Sequence, residues 1–279
     1  MEKILLAIDA YNPDKNAIEF ACYLGRLTKS KITGIFLENV TADQKAVLQN
    51  SHETLYEDQD ADDYWIQNLA RIERIEKNIR FFRQKCAAEE VLCRVHRDRG
   101  FPATELIEES RFADLIVIDS GFSMNTHSEG SPTDFVNDIL KNAECPVILA
   151  PENFNGINEI IIAYNGSASS VFALKQFTYL FPELGDKKIT AVQVNESGRW
   201  EEEGKHNFSE WLRIHYRNVH FEALKGDTER ALFDYLVKRN GVLLVMGAYG
   251  RNALSQFLKH SRAELLIKNL TQPIFITHK

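Results

Sequence analysis

The stretch KILLAIDAYNPDKNAIEFACYL, from Lys3 to Leu24, returns as EIIIAYNGSASSVFALKQFTYL, from Glu159 to Leu180. Each copy is a short apolar run, a polar turn and then a pattern of helical period. Two further pairs occur in the same order. ADLIVIDSG, beginning at Ala113, is answered by GVLLVMGAYG, beginning at Gly241, and ECPVILAPE, beginning at Glu144, is answered by TQPIFITHK, beginning at Thr271. Repetition on this scale marks duplicated domains. The 279 residues suffice for two units that each bury a core. The expected domains are 1–151 and 157–279, divided near Pro151 to Ile157.

Working outward, Ile4 to Ile8 reads as a buried strand, and the Asn12-Pro13-Asp14 turn leads into a helix with apolar Ile18, Cys22 and Leu27. Ile32 to Leu37 reads as the second strand. Thr41 to Asp63 reads as a polar excursion, with Asp62 or Asp63 capping the next helix. That helix is amphipathic, burying Trp65, Leu69, Ile72, Ile75, Ile79 and Phe82, and exposing Arg71, Glu73, Arg74, Lys77 and Arg80 to solvent. Val91 to Val95 reads as a strand, Thr104 to Arg111 as a helix, Leu115 to Ile118 as a strand, Asp134 to Asn142 as a helix and Pro146 to Leu149 as the closing strand. The second half repeats this order with a shorter link, Asn195 to Asn207. Near-continuous apolar strands alternating with helices predict an α/β fold: two tandem doubly wound five-stranded parallel-sheet domains.

Composition narrows the function. Thirty-three Lys and Arg against 40 Asp and Glu give a net charge of −7 and a sequence pI near 5.7, which argues against nucleic acid as partner. The first apolar run is too short for a signal peptide and none reaches membrane-spanning length, so a cytoplasmic chain with no membrane partner is expected. Cys22, Cys86, Cys93 and Cys145 form no close CxxC pair and read as reduced core thiols, with a redox role for Cys86 or Cys93 as the alternative. His96, His215, His220 and His278 fall on predicted strands or helices, and no histidine spacing suits a metal. No nucleophile elbow, complete Walker lysine motif or HExxH is present, so the reading is a non-enzyme with no catalytic and no metal residues.

Three features carry a family resemblance. They are Asp9 at the end of the first strand, Gly-Phe-Pro at 100–102 and Gly-Asp-Thr at 226–228 ahead of a helix, and the closing run VMGAYGRNALSQFLKHSRAELLIKNLTQPIFI from Val245. Together they resemble the universal stress protein family in its tandem two-domain form, over essentially the whole chain outside Thr41 to Asp63. The resemblance implies an adenine nucleotide α-hydrolase-like fold. It also implies an ATP site, with Mg as counter-ion, marked by G-x2-G-x9-G-[ST]. Glycines after a strand let backbone N–H groups approach phosphate oxygens.

Carried over residue by residue, Gly247 and Gly250 supply G-x2-G, His260 stands at the third glycine and Ser261 supplies the hydroxyl. Arg251 lies beside them, and Asn165, Val192 and Val194 fall on the adenosine side. Two readings of His260 stand: its side chain bars the phosphate, or it adds positive charge together with Lys259 and Arg251. Gly247 and Gly250 also have a purely structural reading as a tight turn. In the first half Asp119, Ser120, Gly121 and Phe122 replace the glycine motif, and Thr133 and Asp134 replace its end. Asp119 and Asp134 would repel a triphosphate there, so no ATP is expected in that half; Asp9 is retained, with turn-shaping as its alternative role.

The resemblance further implies an intramolecular pseudo-dimer through Val147–Leu149 and Ile274–Ile276, with a homodimer also open. The function it implies is that of a stress-associated regulatory protein, binding ATP in its C-terminal domain and acting through a protein partner. The alternative is a nucleotide-free scaffold with both sites decayed, using the Trp65 to Phe82 helix as its specific surface.

Overall fold

The computed structural model describes residues 1–38, 60–98, 100–125, 129–202, 204–247 and 272–277, with the side chains of 60–67, 98 and 229 excepted. The first half runs β1 (Lys3–Asp9), α1 (Lys15–Thr28), β2 (Lys31–Leu37), α2 (Asp60–Ala88), β3 (Cys93–Asp98), α3 (Pro102–Ser110), β4 (Leu115–Asp119), α4 (Asp134–Asn142) and β5 (Val147–Ala150). The second runs β6 (Glu159–Ala163), α5 (Ala168–Leu180), β7 (Lys188–Asn195), α6 (Lys205–His215), β8 (Val219–Lys225), α7 (Thr228–Leu236), β9 (Val242–Gly247) and β10 (Ile274–Thr277). The expected excursion overlaps 39–59, outside the described residues.

All the described strands join one ten-stranded sheet in the order β3-β2-β1-β4-β5-β10-β9-β6-β7-β8. Within each half every pairing is parallel, as crossovers through covering helices require. The halves meet where β10 pairs antiparallel with β5, with Ile274 opposite Leu149, Phe275 opposite Ile148 and Ile276 opposite Val147. These are the strands the sequence marked as pairing edges, and their union removes both from solvent. Buried side chains divide into one cluster on each face of the sheet. Ile4, Leu6, Ile8, Phe20, Phe36 and Phe82 lie on one face, and Leu5, Ala7, Ile35, Leu106 and Ile139 on the other.

Local signals explain the helix starts. Asp14 accepts from the amide of Ala17 at 2.7 Å and caps α1, and Ser167 accepts from Ser170 at 3.2 Å and caps α5. Three readings need correction. Helix α2 begins at Asp60, so Asp62 and Asp63 lie inside it and do not cap it. Among its described side chains the buried stripe is Ile75, Ile79, Phe82 and Cys86, which pack on β1, β2 and α1; the side chain of Trp65 lies outside the described residues. Leu69 and Ile72, although on the same period, are 57% and 38% exposed. Finally, the third strand starts at Cys93, not Val91. Val91 is buried in the turn before it, and Leu92 is exposed.

Candidate functional site

Strand β6 lies between β9 and β7, and the chain leaves β6 and β9 toward opposite sides, so their carboxyl ends form the crevice where doubly wound sheets hold ligands. Asn165 comes just after β6 at this crevice, and its Oδ1 accepts from the amide of Ser167 at 3.1 Å. Val192, fully buried, and Val194, half-buried, project from β7 on the face that also carries Ala163 and Met246. Gly247 ends β9 on the other face. A Cβ there would lie 2.6 Å from the carbonyl carbon, carbonyl oxygen and Oγ of Ser169 in the first turn of α5. Glycine at 247 is therefore required by strand–helix packing whether or not a ligand is present.

Asn165, Val192, Val194 and Gly247 thus lie at or near the carboxyl ends of β6, β7 and β9, with Val192 inside the core. Gly250, Arg251, His260 and Ser261, with Lys259, lie outside the described residues. Sequence reading missed an aromatic stack that packs on the sheet face opposite Val192 and Val194, starting at Tyr164. The Tyr164 ring stacks on Phe208 with centroids 3.9 Å apart and on Trp200 at 5.8 Å, and Trp200 meets Phe221 edge-on at 5.1 Å. The loop that delivers Trp200 is tied down by Gln193, which accepts from the amide of Glu201 at 2.8 Å and donates to its carboxylate at 3.1 Å. Trp200 Nε1 is buried without a hydrogen-bond partner among the described residues. The available signal was local: an aromatic directly before Asn165 and a lone tryptophan in a polar link.

The equivalent crevice of the first half is built differently. Asp9 Oδ1 accepts from the amides of Tyr11 and Asn12 at 2.7 and 3.2 Å, the turn-shaping role. Helix α2 then clamps that turn. Arg71 donates through Nε to the Tyr11 hydroxyl at 2.8 Å, Arg74 to the Tyr11 carbonyl at 2.8 Å and Asn78 to the Ala10 carbonyl at 2.8 Å. Arg71 and Arg74 are therefore structural donors, which corrects their reading as a merely solvated face.

Below them Glu38, buried, accepts from Arg97 Nε at 2.6 Å. Burial pushes the Asp119 carboxyl up to about 6, and the negative charges of Asp14 and Glu152 add to the shift against the amides of Gly121 and Ser120. Thr133 caps α4, accepting from Val136 at 3.2 Å, and donates to the Phe122 carbonyl, which closes the loop.

Among the described residues no group of three or more His, Cys, Asp or Glu is placed to hold a metal. No helix there is long and apolar enough to cross a membrane. Cys22 and Cys86 lie 3.9 Å apart in the core, where hydrogen bonding between them and burial push the Cys86 thiol up. Cys145 is likewise buried and raised to about 12. These fit packed thiols.

No family model matches the chain. A universal stress protein of Methanocaldococcus jannaschii is 26% identical over 163 residues, covering 52% of this chain and 89% of that one. The crystal structure of a universal stress protein from Archaeoglobus fulgidus aligns over 99% of this chain and 98% of its own, with TM-score 0.69 and 18% identity. The chain is thus similar in sequence to one universal stress protein over about half its length, and in fold to another over nearly all of it. A Pseudomonas aeruginosa protein of unknown function shares the fold over the full chain and 92% of its own, with TM-score 0.57 and 15% identity. The two copies have diverged where β1 and β6 end: an acidic turn clamped by α2 in the first half, and the amide of Asn165 in the second.

Proposed function

We propose that this is a stress-associated regulatory protein that binds adenine nucleotide in the second-half crevice and acts through a protein partner, without turnover. The supporting observation is the convergence of Asn165, Val192, Val194 and Gly247 at the carboxyl ends of β6, β7 and β9, where the family motif continues into Gly250 and Ser261. Asn165 stands where the first half has Asp9, and Gly247 where it has Asp119, so neither carboxylate is repeated in the second-half crevice. An amide there keeps one acceptor lone pair and two donors for a ribose hydroxyl. ATP with Mg is the proposed ligand, and the cytoplasm is the proposed compartment.

A specific observation favours a second reading, a nucleotide-free scaffold. Gly247 is fully accounted for by packing on Ser169, and Asn165 Oδ1 already serves the turn. In that reading the exposed Leu69 and Ile72 of α2 mark the surface.

The deciding experiment is the melting temperature of nucleotide-stripped protein with and without millimolar Mg-ATP. Ligand at a hundred times its dissociation constant adds about 2.7 kcal/mol, read as a rise of several degrees. A rise abolished by Gly250→Ala and by Ser261→Ala, and kept by Asp9→Ala, supports the nucleotide reading. No rise at all leaves the scaffold.

A further inference from the structure

At the amino ends of β1, β2 and β3 the first half carries a cleft of about 400 Å³ lined by Glu2, Lys3, Lys29, Lys31, Thr33, Leu92, Arg94 and His96. Lys3 and Lys31 are directly registered partners on neighbouring strands, and Thr33 pairs with Arg94 on the next. Like charges placed side by side in a sheet repel. Glu109 of α3 answers only part of this charge, accepting from Lys3 at 3.2 Å and facing His96 Nδ1 at 2.6 Å. Burial alone would raise the Glu109 carboxyl, but these two partners outweigh it and hold it low, so its charge is already committed to them. Asp114 spends its carboxylate on the amides of Glu2 and Lys3. Among the described residues Lys29, Lys31 and Arg94 have no carboxylate partner.

The duplicated half serves as an internal control. The counterpart of Lys3 is Glu159, registered opposite Lys188. It accepts from Thr190 at 2.6 Å and pairs with Lys188 at 3.0 Å and Arg239 at 3.1 Å. One rim neutralises itself with a central carboxylate; the other places a lysine at that centre and leaves a net cationic hollow, with Lys29, Lys31 and Arg94 against the carboxylate of Glu2 on the same lining. An arrangement that repels itself in the free protein is relieved by an anion.

We propose that this cleft binds a multiply charged phosphate anion, a ligand bearing two or more phosphate groups. Arg94 offers a planar fork to phosphate oxygens, and Lys29 and Lys31 act as point charges beside it. The hollow is the size of a small-molecule site and the protein as a whole is acidic, which excludes a nucleic-acid backbone running across the surface. The assignment is independent of the crevice at the other half.

The test is calorimetric titration of the full chain with inorganic tripolyphosphate in low salt. Arg94→Glu and Lys31→Glu each weaken binding about tenfold, the loss of one charge-assisted contact. Lys175→Glu, an exposed site on α5 with the same change in net charge, stays within about twofold. Should either cleft variant melt early, Arg94→Gln and Lys29→Gln repeat the comparison. ATP is titrated in parallel: if Arg94→Glu weakens ATP too, the phosphates are a nucleotide's tail; if tripolyphosphate alone weakens, they are a free chain. No binding of tripolyphosphate by the native protein, or an equal loss in Lys175→Glu, overturns the proposal.

Discussion

Replacing Gly247 with alanine tests whether the glycine belongs to the ligand or to the fold. The added methyl would sit 2.6 Å from three atoms of Ser169, two of them backbone atoms in the first turn of α5. Unstrained carbon contacts begin near 3.5 Å, so the helix must withdraw by about 1 Å. Overpacking of this kind costs about 1–3 kcal/mol, and the upper part of that range applies because a helical backbone yields less than a side-chain tip. In a chain of this length each kcal/mol corresponds to about 2–4 °C, which predicts a fall of roughly 4 to 12 °C in the nucleotide-free protein. Gly121→Ala is the comparison, since its Cβ meets only Asp119 Oδ2 at 3.2 Å, and it should shift the melt by less than about 2 °C. The assay is a thermal melt monitored by circular dichroism, with urea midpoints as a second reading. A Gly247→Ala protein melting with the native one would refute the packing argument and return Gly247 to the ligand.

Two further outcomes rest on charges near the first-half crevice. The Asp119 carboxyl is raised to about 6 in the folded protein against an unfolded value near 4, so the folded state holds the extra proton between them. Stability from this group is therefore full below about pH 4 and falls by up to about 3 kcal/mol as pH rises through 6; Asp119→Asn should flatten urea midpoints across that window, and an unchanged slope would remove the effect. Arg97→Met removes the ion-pair partner of the buried Glu38 carboxylate and should cost up to about 3 kcal/mol in urea denaturation, with Glu38→Gln in the same protein restoring part of it. A neutral Arg97→Met would mean the pair is hydrated.

Much of the fold is written locally. The apolar runs at Ile4 and Ile160, the Asn12-Pro13-Asp14 turn and the Pro-led closing strands each announce one element, and their repetition announces the second copy. What failed was any decision needing a tertiary neighbour. Leu69 and Ile72 satisfy the helical period as well as Ile75 and Ile79 do, but only the latter pair reaches the core. Arg71 and Arg74 look like solvated charges until Tyr11 is folded back against them. Of the motif glycines only Gly247 falls among the described residues, and the stack that Tyr164 makes with Trp200 and Phe208 joins it to residues dozens of positions away, which no spacing rule connects.

The seam between β5 and β10 sets a polarity for the whole molecule. Because that pair alone runs antiparallel, every strand of one half points against every strand of the other. The two crevices therefore open on opposite rims of the shared sheet, too far apart for one ligand to bridge. The cationic hollow at the start of β1 to β3 falls on the same rim as the crevice ending β6, β7 and β9. From β2 to β6 is six strand spacings, about 29 Å along the sheet. A partner lying along that rim would touch both at once, while the opposite rim carries self-neutralised pairs, Arg97 with Glu38 and Glu159 with Lys188 and Arg239.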